Sequence, residues 1–137
     1  MADHSANIHH MLAALNFGVV VLSIAAGGLT ASLVGLVVGS LLSMSGVENG
    51  PGMGLVVGIV AGLFVAGWVA GARSVHSHRF HGMISGLLLS FLIVIVARLG
   101  GSVAPTSSVI WLAILSIAIS GLAGWLAGRR RAKAGRP

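Results

Sequence analysis

Histidine is the residue in this chain best suited to chemistry, and there are six of them. His76, His78 and His81 fall between Arg73 and His81, interleaved with Arg73 and Arg79. Neutral imidazole binds Zn, Cu, Ni or Fe, and the ring titrates near neutral pH. Residues three apart share a helix face, so His78 and His81 can act together. His76 can join them from a turn, and His9 or His10 from an N-terminal segment that also holds His4. A structural zinc site takes four ligands, usually with cysteine or carboxylate among them. The chain has no cysteine and two acids, Asp3 and Glu48, and Arg73 and Arg79 would repel a cation. The segment therefore reads first as a solvated hinge touching lipid headgroups. The alternatives are a metal site at His76, His78 and His81, a tetrapyrrole contact, and a pH-sensitive contact. The sequence requires no cofactor.

Other chemistry is sparse. There is no carboxylate pair, no Ser/His/Asp set that the topology could assemble and no phosphate-cradling loop, so no enzyme is expected. Transporters that move protons or cations place ionisable groups near the membrane midplane, and both acids lie outside the apolar runs. Small multidrug exporters share the four-helix plan but depend on a carboxylate in the first helix, which is absent here. Arg98, in LIVIVARLGG, is the one basic residue within an apolar run. It is expected to snorkel to the interface and to pair with Glu48, the acid on its side.

The elements that position these residues follow from composition. The chain of 137 residues is 56% hydrophobic and 7% charged, with a mean hydropathy of +1.04. Soluble domains carry roughly 25% charged residues, so this is a membrane protein. A span needs about 20 apolar residues. Four helices are predicted, over 16–43, 53–72, 82–101 and 109–128, in a single integral domain. An interfacial segment over 4–15 precedes them and a basic tail over 129–137 follows. The start, MADHSANIHH, has no Lys or Arg before its apolar run, which argues against a cleaved signal peptide.

The net charge of +6 comes from basic residues that flank apolar runs, so anionic headgroups are expected as partners and nucleic acid is not. Arg73, Arg79, Arg129, Arg130, Arg131 and Lys133 are the headgroup candidates. Because basic residues stay on the cytoplasmic side, both termini are expected there, in a multi-pass protein of the cytoplasmic membrane. Trp68 and Trp125 then fall near inner ends and Trp111 near an outer start, where belt aromatics sit.

Small residues recur at every fourth position, hence on one helix face. The stripes run Ser23, Gly27, Ala31, Gly35, Gly39, Ser43; then Gly54, Gly58, Gly62, Ala66, Ala70; then Gly82, Gly86, Ser90; and last Ser116, Ser120, Gly124, Gly128. Such faces let helices approach closely in lipid, within the bundle or between copies. The segments GWVAGAR (Gly67–Arg73) and GWLAGRR (Gly124–Arg130) match at five of seven positions. Two repeated helical hairpins would produce this echo; so would the shared demands of any two helices ending at the same membrane face.

The stretch AGWVAGARSVHSHRFHGMISGLLLSFLIVIVARLGG (Ala66–Gly101) resembles a family of small, glycine-rich, four-helix bacterial membrane proteins of unknown function. Their pattern is AGR, a short loop, then HG-x-x-x-GL opening the next helix. Gly67, Ala70, Gly71 and Arg73 match its first part, and His81, Gly82, Gly86 and Leu87 its second. Ala72 makes the first element AGAR and departs from it. The resemblance implies a four-helix bacterial membrane protein and brings no activity with it.

Together these features lead to the expectation of a non-enzymatic membrane protein acting through helix packing, as a homo-oligomer or an accessory subunit of a larger membrane complex. A small oligomeric channel or transporter using Arg98, and a histidine-dependent metal or cofactor subunit, are the alternatives.

Overall fold

The computed structural model describes residues 17–74, 77–101 and 105–134. They form four α-helices: α1 (Phe17–Met44), α2 (Gly50–Arg73), α3 (His78–Leu99) and α4 (Thr106–Ala134). All four are long and apolar enough to cross a bilayer, with mean hydropathies of 2.1 to 2.3 over their best windows. Helices satisfy their own backbone groups, which lipid demands of any spanning segment. The chain is therefore an all-α, four-helix bundle of a multi-pass membrane protein.

Four boundaries differ from the hydropathy limits by three residues or more; α4 begins at Thr106, ahead of 109 and directly after Pro105, and the other three have local reasons. α2 begins at Gly50, ahead of 53, because Pro51 lies in its first turn, where its fixed φ suits a helix and its missing N–H is not needed. α3 begins at His78, ahead of 82, after Ser77 takes a left-handed conformation with φ of 57°. α4 continues past 128 to Ala134, so Arg129, Arg130 and Arg131 are helical and not part of a free tail. Arginine is a good helix former, and cations at a helix C-terminus complement its dipole. The interfacial segment expected over 4–15 lies outside the described residues.

The helices run up, down, up, down. α2 is the central element and packs on all three others, whereas α1 lies along α2, touches α3 lightly and makes no contact with α4 among the described residues. In the most apolar stretch of α2, 39% of residues are buried, against 17% in α1. Leu63 and Ala66 of α2 and Leu89 of α3 form the innermost cluster, with Ile24, Ile59, Ile93 and Ile119 against it.

Glycine decides how near the axes come. A Cβ on Gly62 would lie 2.5 Å from the Gly27 carbonyl oxygen, and one on Gly27 would lie 2.7 Å from the Gly62 oxygen. Gly58 rests on Ala31 and Gly35, and Gly54 on Gly39, so the stripes of α1 and α2 meet backbone to backbone. The face of α4 serves two neighbours. Gly67 and Gly71 of α2 lie on Ser120 and Gly124, and Gly82 and Gly86 of α3 lie on the same pair with Ser116. Lipid provides little hydrophobic drive between apolar helices, so close van der Waals contact of this kind holds them together.

Buried serines add polar ties. The Ser23 and Ser85 hydroxyls hydrogen-bond at 2.8 Å and join α1 to α3; Ser116 and Ser90 do so at 3.2 Å between α4 and α3. Ser23, Ser90 and Ser116 also reach carbonyls of their own helices, so none of these hydroxyls is left unsatisfied in the apolar interior.

Candidate functional site

The polar side chains gather where α2 ends and α3 begins. His78 Nδ1 stands 2.8 Å from the Gly71 carbonyl and 3.0 Å from the Ser74 hydroxyl. A carbonyl only accepts, so Nδ1 carries the proton, and in the neutral ring Nε2 keeps the lone pair. The bond also occupies one of the last carbonyls of α2, which have no partner within their own helix. A Cβ on Gly128 would lie 2.5 Å from His78 Cδ2, so the ring leans on α4 at a position that must be bare.

His81 departs from the solvated hinge expected for this segment. It is 4% exposed, and its Nδ1 lies 3.3 Å from the Ser77 carbonyl. The cause is the early start of α3, which puts His81 in the first turn on the face that continues through Gly82, Ser85 and Gly86. His78 and His81 are thus on one helix, and each has its Nδ1 turned to a backbone carbonyl. Among the described residues, no group of three histidines or acids converges on a point where a metal could bind. His76, His4, His9 and His10 lie outside those residues.

The arginines are ordered by aromatic rings and by the backbone. The Arg129 guanidinium lies 4.0 Å from the centre of the Trp125 ring, and that of Arg130 lies 5.0 Å from Trp68. Arg131 donates to the Ala72 carbonyl at 2.9 Å. Arg130 and Arg131 therefore fasten the end of α4 to the end of α2, and the two echoed segments face each other with Gly71 on Gly124. Arg73 and Arg79 are exposed at the same end. The Lys133 side chain is not described. No family model matches this chain, and neither a curated protein nor a solved structure is similar to it.

Glu48 and Arg98 share the opposite end, Glu48 in the turn after α1 and Arg98 in the last turn of α3, both exposed. The described residues form three larger grooves on the surface. One of about 720 Å³ runs between α1 and α2 over Ala31, Ser32, Gly35, Gly39, Ser40 and Ser43. Two more, of about 670 and 550 Å³, lie along α3 and α4, and both are lined by Arg79 and Trp125. Grooves were not legible in the sequence, because small-residue spacing marks a face without saying whether a neighbour fills it.

Proposed function

We infer that the protein is a non-enzymatic subunit of a bacterial cytoplasmic membrane, with both termini on the cytoplasmic side. It acts by helix packing, either as a homo-oligomer or as an accessory subunit of a larger membrane complex. The groove between α1 and α2 carries this reading. Its floor is the small-residue stripe of α1, which is only partly covered by α2, and no charged side chain lines it. A further transmembrane helix is the shape that such a face accepts.

Native mass spectrometry of the protein extracted from its own membranes tests the idea. A complex containing further copies or other subunits is expected. Replacing Ser32 and Ser40, both exposed in the groove, by leucine should release the chain as a folded monomer. A lone chain from native membranes, or a complex indifferent to the substitutions, would overturn it. So would solute flux through liposomes that Arg98→Ala abolishes.

A further inference from the structure

The two grooves along α3 and α4 differ from the one on α1, because cations stand at one end of them. The larger of the two is lined by Ile114, Ile117, Ala118 and Gly121 of α4 and by Met83 of α3. Gly121 is buried beneath Met83, whose Cγ an added Cβ would meet at 2.9 Å, while Ala118 is exposed in the groove. At Arg79 and Trp125 it abuts the second groove, whose lining includes Ser77, His78 and Arg129. Arg129 is held over the Trp125 ring at 4.0 Å. Arg79 and Arg129 are exposed, and the sole acid among the described residues, Glu48, is at the far end of the bundle. Whatever balances these two cations is not a described side chain.

The dimensions indicate the ligand. Ile114 to Trp125 are twelve helical residues, eleven rises and so about 16 Å at 1.5 Å per residue, which is close to half of a hydrocarbon core of about 30 Å. The groove from Ile114 to Trp125 is thus about one leaflet deep, with the cations at the end where headgroups lie and its apolar floor where acyl chains lie. We propose that the α3–α4 groove binds an anionic phospholipid of the adjoining leaflet, with the phosphate at Arg79 and Arg129 and one acyl chain laid beside Met83 and over Ala118 toward Ile114. The polar groups of Ser77 and His78 supply further contacts to the headgroup.

Lipid retention in native mass spectrometry tests this assignment. The detergent-purified full chain is titrated with phosphatidylglycerol and, separately, with phosphatidylcholine of the same acyl chains. Wild type should prefer phosphatidylglycerol by roughly tenfold or more, as two arginines near an anionic headgroup imply. Arg79→Gln with Arg129→Gln should remove that preference. Ala118→Trp, which fills the exposed part of the groove, should lower retention of both lipids. Arg73→Gln, at the same end but off the groove, should leave the preference intact. Equal retention of the two lipids by wild type would overturn the site without recourse to any variant. A loss in Arg73→Gln as large as in the double variant would also overturn it, since charge at that face in general would then be responsible. Brominated phosphatidylglycerol gives a second reading in a Trp68→Phe, Trp111→Phe background. Trp125 fluorescence should be quenched there more strongly than by brominated phosphatidylcholine, and equal quenching counts against the site.

Discussion

At the scale of single residues, the outcome of a substitution depends on which atoms a new methyl group meets. Gly58 faces the Ala31 carbonyl and the Gly35 backbone, and neither can move without shifting a helix. Gly58→Leu should therefore destabilise the α1–α2 contact by 3 kcal/mol or more, beyond the roughly 1–3 kcal/mol typical of an overpacked core. Gly28 is one position from the stripe, and its nearest neighbour is Leu89 Cδ1 at 4.0 Å. Gly28→Ala should stay within about 0.5 kcal/mol of wild type, as substitutions away from tight contacts do. Thermal unfolding in detergent compares the pair; similar losses for both would mean that Gly58 is not at a close contact. The four-residue spacing in the sequence puts Gly27 and Gly58 on the stripes and leaves Gly28 off them. The burial of His81 was not legible, because polar residues beside a span are usually wet. It became inward-facing only when α3 started four residues ahead of the expected boundary.

At the scale of elements, hydropathy locates the bilayer but not the helix ends. The basic run after Gly128 is too polar for hydrocarbon yet continues the helix, because arginine favours helix and finds partners there. Arg130 stacks on Trp68 and Arg131 satisfies the Ala72 carbonyl, so the last turns of α2 and α4 brace each other. Arg131→Ala leaves that carbonyl to water and should cost about 0.5–1.5 kcal/mol, the net worth of one such bond. Arg130→Ala should alter the emission of Trp68 while leaving helix content by circular dichroism unchanged. An unaltered Trp68 spectrum, read in a background lacking Trp111 and Trp125, would mean that the cation–π contact is not made in the membrane. His78 performs the parallel task for α2 by holding the Gly71 carbonyl. Sequence spacing placed this histidine beside the hinge but gave no sign of its carbonyl partner, which belongs to the neighbouring helix.

For the whole molecule, the fold class and the number of spans were readable from the alternation of apolar runs with short polar turns. The peripheral position of α1 was not, because α1 is as apolar as its neighbours and its stripe is the longest of the four. What distinguishes it is a tertiary fact: α2 covers one side of that stripe, α3 reaches it only at Ser23 and Gly27, and nothing described covers the rest. Orientation across the bilayer rests on charge. Arg73, Arg79 and Arg129 to Arg131 stand at one end of the bundle, and Arg98 is the one basic side chain described at the other. Basic residues near span ends resist translocation, so the end bearing Ser77 should face the cytoplasm and the end bearing Gly46 and Ser108 the opposite side. The absence of native cysteine makes the test direct. In intact cells a membrane-impermeant maleimide should label Ser108→Cys at the α4 start, while Ser77→Cys should react only after the membrane is opened. The reverse pattern would invert the topology and place Arg79 and Arg129 against the other leaflet. The source of lipid for the α3–α4 groove would then change with it, although the chemistry of the groove would not.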